Sequence, residues 1–417
     1  MYKYIKMLTM LTKKTKRECS KREKINFTFQ EIKILFIGLY APFKANAGGG
    51  AYIFCMDKKI CVYAICKNEI KFIDRWYNSV KEADYVCVLD TGSDDGSFQK
   101  LKSLGIITKQ KKYSTFRFDV ARNDSLKLVP DDCEICVCVD LDEVFEAGWS
   151  EILRENWTAQ TGRVRYRYTW SFNPDGSEGV VFMSDKIHRN KAYKWKYPVH
   201  EILYQVDGQN YNFLDLPSIQ LNHFADVKKS RSNYLPLLEI SVKENPMDDR
   251  NVHYLGREYY FHGEYDKAIE MLEKHLSLPS AVWADERGAS MRYIAKCFKE
   301  KEDFDKQEEY LMRAILETPN VREPYFDTAV MYYEQENYLK SAVFFEEMLK
   351  ITTRYLYYMS SPDCWSALPY DYLSICYYKL GNIQKAISFV DEAILRSDEQ
   401  RLKNNRAHFV SCLKKEG

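Results

Sequence analysis

The sequence predicts an α/β layer at residues 56–227 followed by an all-α helical repeat at residues 228–417. Two observations predict this division. Short apolar runs alternate with helical patterns up to residue 142, which is typical of a mainly parallel sheet covered by helices. Beyond Lys228 the chain is almost entirely helical and repeats itself at intervals of about 34 residues. A chain of 417 residues is also longer than one hydrophobic core usually supports.

The elements of the first region follow from the spacing of apolar residues. Continuous apolar runs predict strands that are buried on both faces. These lie at 60–65, 85–89 and 135–139. Helical spacing predicts helices at 69–81, 95–104 and 118–129. Further strands are predicted as an extension of the same sheet, at 163–169, 180–183, 202–206 and 218–221.

The second region predicts pairs of antiparallel helices that resemble tetratricopeptide repeats. Turn residues recur at Gly263, Asp303, Asn337 and Gly381, with two of the units stretched. The last helix, at about 399–414, has the mixed composition of a terminal cap. The chain has 32 tyrosines, and those at helical spacing are expected in the core of the repeats.

Composition narrows the class of protein. The formal net charge is +1, which gives no global attraction to nucleic acid or to an acidic membrane. We find no run of the roughly 18 to 20 apolar residues that a membrane span needs. Twelve cysteines are scattered through apolar stretches, which indicates free thiols and a cytoplasmic location. Cys133 and Cys136 resemble half of a zinc site, but a buried strand with cysteine as a small hydrophobe is the favoured interpretation.

Residues 1–55 have no clear role in either region. Met56 directly precedes the first convincing strand, so we interpret the extension as a mis-assigned start. The alternative is a signal peptide, in which the apolar segment 34–43 precedes Ala45-Asn-Ala47.

Three polar clusters follow the predicted parallel strands, at the edge where α/β sheets bind ligands. They contain Lys67-Asn68-Glu69, Asp90 to Asp95, and Asp140-Leu-Asp142-Glu143. Asp140 and Asp142 are two residues apart at the end of a rigid strand, so their carboxylates can converge on one hard cation that also binds phosphate.

In order and spacing, four blocks resemble family 2 glycosyltransferases, which have the nucleotide-sugar-binding GT-A fold. The blocks are Lys67-Asn68-Glu69, Asp90-Thr-Gly-Ser-Asp-Asp-Gly96, Phe118-Asp-Val-Ala-Arg-Asn123 and Asp140-Leu-Asp142-Glu143. The resemblance implies a nucleotide-diphosphate sugar donor and Mn²⁺ or Mg²⁺. It also implies an inverting transfer, in which a carboxylate base takes the acceptor proton.

The resemblance assigns roles to individual residues. Asp90 would contact the base or ribose of the nucleotide, and Asp94 and Asp95 would line the same pocket. Arg122 would approach the donor phosphates or hold the metal loop. Asp140 and Asp142 would hold the metal and the diphosphate. Lys67, Asn68 and Glu69 belong to the donor site, although Asn68 and Asp94 are alternatively helix caps.

Two later motifs resemble those of a bacterial subgroup that includes enzymes of surface-polysaccharide assembly. Pro198-Val-His200-Glu201 would lie near the acceptor, with His200 as a binding residue and Glu201 as the base. The second motif is Asn222-His223-Phe224, in which His223 would be a third metal ligand. The usual Glu-Asp base motif is not found, so Asp175 and Asp185 are lesser candidates for the base.

Two other functions remain open. One is a non-catalytic tetratricopeptide scaffold with a degenerate glycosyltransferase domain. The other is a nucleotidyltransferase, which would require a Gly-rich or basic phosphate loop that Lys67-Asn-Glu69 does not supply. The repeats are expected to bind a glycan or protein acceptor, or to mediate homodimerisation.

Overall fold

The computed structural model describes residues 58–225 and 234–416, which belong to one compact unit. The predictions for residues 1–55, and the predicted boundary at 227/228, lie outside the described residues. Among the described residues, no helix combines the length and apolar character required to span a bilayer.

Residues 58–225 form a sheet half of ten strands and four helices. The strands are β1 Ile60–Cys66, β2 Tyr85–Asp90, β3 Ile107–Gln110, β4 Ile135–Cys138, β5 Glu143–Phe145, β6 Thr161–Thr169, β7 Val181–Arg189, β8 Tyr193–Lys196, β9 Ile202–Gln205 and β10 Asn212–His223. The helices are α1 Ile73–Val80, α2 Ser97–Ser103, α3 Phe118–Leu126 and α4 Trp149–Asn156.

Eight of these strands form one mixed sheet in the order β3-β2-β1-β4-β7-β6-β10-β5. β1, β2, β3 and β4 run parallel to one another. β7 is antiparallel to both β4 and β6, and β5 is antiparallel to β10. β6 and β10 are also parallel to each other, so the predicted parallel pairing holds for β1 to β4 and for this pair, and the sheet as a whole is mixed. The predicted extension of the sheet by residues 160–225 is confirmed for β6, β7 and β10.

Two predictions about the sheet half need correction, and one edge strand was missed. The strand at 202–206 does not join the main sheet, because β9 pairs with β8 in a separate hairpin. The helix expected from residue 69 begins at Ile73, because Asn68 has a left-handed backbone (φ 57°) and the Glu69 N–H donates to Ser97 Oγ. β3 was not predicted, because Ile107-Thr-Lys-Gln110 is a short, mostly exposed edge strand.

Both faces of β1 are covered, which explains its continuous apolar sequence. Ile60 and Val62 pack into a core that includes Trp76. Cys61 and Tyr63 pack on the opposite face with Cys87, Cys136, Cys138 and Trp195. The cysteines are therefore core residues, as predicted, and the ten in the described part of the chain are free thiols.

Residues 234–416 form a helical half. Its α-helices are α5 Tyr234–Glu244, α6 Asp249–Phe261, α7 Tyr265–Ser277, α8 Ala284–Glu300, α9 Phe304–Glu317, α10 Arg322–Glu334, α11 Tyr338–Leu349, α12 Leu368–Lys379, α13 Ile383–Ile394 and α14 Gln400–Glu416. The pairs α6–α7, α8–α9, α10–α11 and α12–α13 pack against each other, so the predicted helical repeat is confirmed.

The turns of the repeat use the predicted residues. Asp303 and Asn337 are N-caps whose side chains accept from the backbone N–H three residues on. Gly263 and Gly381 have positive φ angles of 74° and 76°, which favour glycine. Within α6, a Cβ at Gly256 would lie 2.6 Å from Leu272 on α7, so this glycine permits close packing of the pair.

A segment between α11 and α12, residues 350–367, connects the two halves. The Met183 N–H of β7 donates to the Leu356 carbonyl at 3.3 Å. Tyr358 stacks on Tyr254 of α6 at 5.9 Å and donates to Glu286 of α8 at 2.6 Å. The long interval between the turn residues Asn337 and Gly381 thus contains this segment, which packs on the sheet half and the first repeats.

Candidate functional site

The carboxyl ends of β1, β2 and β4 meet at one edge of the sheet. β2 and β4 are the two neighbours of β1, so their ends lie about 10 Å apart. Asp90 ends β2 and pairs with Cys66 at the end of β1. Asp140 follows β4 by two residues, at nearly the same height. The structure therefore brings the three polar clusters, which follow β1, β2 and β4, to one edge of the sheet.

Asp90 is fully buried at this edge. Its Oδ1 accepts from the Gly92 and Ser93 N–H groups and from Gln110 Nε2, each at 2.9 Å. Its Oδ2 is buried and has no hydrogen-bond donor. A buried carboxylate oxygen without a donor is costly, so this atom is suited to accept from a ligand.

The two loops beside Asp90 hold each other. The Asn68 N–H donates to Ser93 Oγ at 2.8 Å, and its Oδ1 accepts from the Asp94 N–H at 2.9 Å. Asp95 accepts from the Ile70 N–H at 3.1 Å and from Ser97. Asn68 and Asp95 therefore shape the loops. The side chains of Lys67 and Asp94 are exposed at the surface, whereas Glu69 is buried.

Arg122 on α3 lies at the centre of an ion-pair network. Its Nη1 and Nη2 donate to the two carboxylate oxygens of Asp140 at 2.8 and 3.0 Å, and its Nε donates to Glu201 Oε1. The guanidinium is 4% exposed and lies over the Trp195 ring. A buried guanidinium requires such partners, so these contacts fix the position of both carboxylates.

Lys186 on β7 completes this network and was not predicted from the sequence. Its Nζ lies 3.1 Å from Asp140 and 3.2 Å from Glu143. Burial would raise the pKa of the Asp140 carboxyl, but Arg122 and Lys186 hold it well below its usual range. Burial raises the pKa of Glu143, which also accepts from Tyr168 at 2.7 Å and from the Asp140 N–H at 2.8 Å.

Asp142 and His223 face each other across the β5–β10 ladder. His223 pairs with Glu143 in register, which places its Nε2 3.6 Å from Asp142 Oδ2. Its Nδ1 lies 2.9 Å from the Trp170 carbonyl, and its ring stacks on Trp170 at 4.5 Å. Burial would lower the pKa of His223, but the Asp142 carboxylate and the Trp170 carbonyl raise it.

The pair Asp142–His223 fits a divalent cation better than the predicted set of three ligands does. A metal-ligating histidine usually donates its other ring N–H to a backbone carbonyl, as His223 does to Trp170. Asp140 instead forms ion pairs with Arg122 and Lys186. It does not converge with Asp142 and His223 as a third ligand. The carboxylates at this edge of the sheet outnumber the cationic side chains. The carboxylates are Asp140, Asp142, Glu143 and Glu201, and the cations are Arg122 and Lys186.

The predicted acceptor residues lie between the two halves. His200 has a left-handed backbone (φ 50°) and stacks on Tyr254 of α6 at 4.1 Å. Glu201 faces the opposite way, toward Arg122. The lesser base candidates are engaged elsewhere. Asp175 is exposed and accepts from Ser177, and Asp185 pairs with Arg163 at 2.6 Å.

Comparison with known proteins finds no matching family model and no matching curated protein. Three similar solved structures each cover less than half of this chain. The MamA protein is 15% identical, covers 41% of this chain and 84% of its own length, and has a TM-score of 0.32. The C-terminal part of a TPR repeat-containing protein from Cytophaga hutchinsonii is 17% identical, covering 44% and 68%, with a TM-score of 0.37.

A third similar structure is YrrB, described as a TPR protein with an unusual peptide-binding site. It is 18% identical, covers 40% of this chain and 78% of its own length, and has a TM-score of 0.31.

Proposed function

We propose that the sheet half is an inverting glycosyltransferase domain of the family 2, GT-A type, which transfers a sugar from a nucleotide-diphosphate donor. The observation that supports this most is the single edge that holds Asp90, with its buried oxygen lacking a donor, and the pair Asp142–His223. About 10 Å between the ends of β2 and β4 is a suitable span for a nucleoside at one end and a diphosphate at the other.

Asp90 is the proposed contact of the nucleoside. Its Oδ1 is held by three donors, so the free Oδ2 has a fixed direction. A base N–H or a ribose hydroxyl would supply the donor that Oδ2 lacks. The loops held by Asn68 and Asp95 would close around the same part of the donor.

Asp142 and His223 are the residues that would hold Mn²⁺ or Mg²⁺. When bound, the cation would offset the negative charge that grows on the leaving diphosphate. The charged residues around Asp142 help to fix the position of this proposed metal ligand. Arg122 and Lys186 hold Asp140 in its ionised form and set the turn that carries Asp142.

Glu201 remains the proposed proton acceptor, although one of its carboxylate oxygens already binds Arg122. Its Oε1 accepts from Arg122, so a base function requires the other carboxylate oxygen. Glu201→Gln keeps the hydrogen bond from Arg122 and removes the base. A base role predicts a loss of transfer in this variant with unchanged binding of the donor, measured by kinetics and by calorimetry.

The direct test is donor binding by the full chain. Thermal shift and calorimetry with UDP- and GDP-sugars in the presence of Mn²⁺ should show binding of at least one donor, and chelation of the metal should weaken it. Asp90→Asn is the matched variant for the nucleoside, because it removes one charge with almost no change in shape. Wild-type binding in Asp90→Asn would contradict the role of Asp90, and no binding of any donor would contradict the function.

A tetratricopeptide scaffold without catalysis is the second candidate. It is favoured by the extent of the helical half, whose paired helices lie within residues 234–416. A pure scaffold would show no thermal shift with any nucleotide sugar. In either case the repeats are the proposed surface for a protein or glycan partner or for homodimerisation, and the free thiols support a cytoplasmic location.

A further inference from the structure

Two arginines of the first repeat helix flank one tyrosine next to the sheet half. Arg250 lies 4.9 Å and Arg257 lies 5.2 Å from the centre of the Tyr254 ring. Both arginines are partly exposed, while Tyr254 is 8% exposed. Arg257 also lies 5.4 Å from the Tyr293 ring and 5.9 Å from the Tyr358 ring. Both guanidiniums thus lie against the Tyr254 ring.

Neither guanidinium has a carboxylate partner among the residues that the structure describes. The Nε atoms of both Arg250 and Arg257 are buried and lack a hydrogen-bond acceptor. Most other buried arginines here do have one, such as Arg122 with Asp140 and Arg292 with Asp327. Because the Nε atoms are buried, the Nη groups of these two partly exposed side chains are the donors that an anion from outside the fold could reach.

Two carboxylates near Arg250 are already engaged. Glu286 and Asp185 are close enough to contribute to the raised pKa of Arg250. Glu286 accepts from Tyr358 at 2.6 Å and lies 3.7 Å from His275, and Asp185 pairs with Arg163. They reduce the local positive charge but do not occupy the guanidinium donors.

The arginine pair is connected to the proposed site of transfer. Tyr254, which lies between the arginines, stacks on His200. The next residue, Glu201, binds Arg122, which binds Asp140. An anion at Arg250 and Arg257 would therefore lie on the helical side of the site, where the proposed function places the acceptor.

We propose that Arg250 and Arg257 bind an oxyanion of the acceptor, and that the acceptor is an acidic glycan carrying a uronate or a phosphate monoester. This inference rests on the proposed function. A glycan is favoured over a peptide because exposed aromatic rings surround His223 and can stack on sugar faces. These are Trp170, 39% exposed, and the stacked pair Phe172 and Phe224, each 37% exposed.

The test is anion binding by the full chain in EDTA, which removes any metal that would attract an anion to the donor site. Calorimetry would compare methyl glucuronide, glucose 6-phosphate and uncharged methyl glucoside. We expect one or both anions to bind and methyl glucoside to bind at least tenfold more weakly. Arg250→Gln and Arg257→Gln should each weaken anion binding about tenfold or more, because each removes charge-assisted hydrogen bonds.

The control is Arg313→Gln, which removes an exposed arginine of α9 that pairs with Glu309 at 3.7 Å. It should bind the anions as the wild type does. Asp142→Asn should also retain anion binding, because the proposed donor site is not involved. Circular dichroism of each variant would show whether the fold is retained.

The outcomes separate this inference from the proposed function. Unchanged anion binding in both Arg250→Gln and Arg257→Gln would overturn the inference, whatever the donor experiments show. Loss of donor binding in these variants would assign the arginines to the donor and also overturn it. Tighter binding of a glutamate-rich peptide than of either sugar anion, lost in the same variants, would overturn the assignment to a glycan.

Discussion

The sheet half and the helical half use charged and polar side chains in different ways. In the sheet half, Arg122, Lys186 and their carboxylates form one buried network at the end of the strands. In the helical half, many polar contacts recur along the repeat as single pairs, although Glu286 also joins a buried network with His275 and Tyr358. Tyr259, Tyr310, Tyr332 and Tyr377 each donate to a glutamate of another helix. Concentrated charge indicates a site, whereas evenly repeated pairs indicate a scaffold.

This difference also explains which half tolerates change. Removing one member of a buried network leaves its partners as unpaired charges. Removing one member of a repeated pair affects the adjoining helices but leaves distant repeats unchanged, because each repeat contacts mainly its neighbours. Four predictions follow this contrast, in order of decreasing effect.

The largest expected effect is on chemistry in the sheet half. Asp142→Ala should lower the rate of transfer or donor hydrolysis by about 10³-fold or more, because it removes a proposed metal ligand. Its melting temperature should stay close to that of the wild type, since the Asp142 side chain is outside the Arg122 network. Kinetics with a panel of nucleotide sugars checks the prediction, and wild-type rates in Asp142→Ala or in a chelator would contradict it.

The largest expected effect on stability is at the centre of the network. Arg122→Ala should lower the free energy of unfolding by about 3 to 5 kcal/mol, because Asp140 and Glu201 lose their buried partner. Arg117→Ala is the control. Arg117 also pairs with two carboxylates, but it is 26% exposed and its partner Glu244 is 52% exposed, so about 1 kcal/mol or less is expected. Equal losses in urea denaturation would show that the network is not coupled.

A third prediction concerns pH and a histidine in the sheet core. His188 is fully buried between Tyr63 and the Arg189 carbonyl, and burial lowers its pKa from 6.5 to about 4. The unfolded chain takes up this proton first as the pH falls. Stability from His188 is therefore present above about pH 6.5 and is lost progressively between 6.5 and 4, by up to about 3 kcal/mol.

The measurement is the urea midpoint of the wild type and of His188→Gln at pH 7 and pH 4.5. Glutamine keeps hydrogen-bonding groups at this position but does not titrate. The wild type should lose more stability than the variant on acidification. An equal loss in both proteins would contradict the assignment to His188.

The smallest effect is expected in the helical half. Gly256→Ala should destabilise the chain by about 1 to 3 kcal/mol, because the new Cβ would lie 2.6 Å from Leu272. Donor binding should not change. Combining it with Leu272→Ala provides the control, because the double variant should lose less stability than the sum of the two single losses. If the stability losses of the two single variants simply add in the double variant, the destabilisation by Gly256→Ala does not come from its contact with Leu272.

The sequence predicted local structure well wherever one pattern was sufficient. The buried strands β1, β2 and β4 were predicted from apolar runs, and the repeats from the offsets of Gly263, Asp303 and Asn337. The edge strand β3 and the three-residue strand β5 were missed, because such short or polar segments have no distinct periodicity. The strand at 202–206 was assigned to the main sheet and its partner β8 was missed, since pairing partners are decided by distant residues.

The same limit applies to the site. Asp90, Asp140 and Asp142 could be selected as candidates because they directly follow predicted buried strands. Lys186 gave no signal, because it lies on an ordinary strand and meets Asp140 only through the pairing of β7 with β4. The division of roles between Asp140, which binds Arg122, and Asp142, which faces His223, also depends on distant contacts.

By itself, the sequence determined the two regions, the repeat and the edge of the sheet where polar residues collect, because these depend on local periodicity and chain order. Only the tertiary structure decided which charges neutralise one another and which remain without partners. Arg122 and Arg250 are both arginines near the boundary of the halves, yet one is held by two carboxylates and the other has a buried donor without an acceptor. That distinction arises from three-dimensional packing, which places charges that are far apart in the chain within hydrogen-bond distance or out of reach.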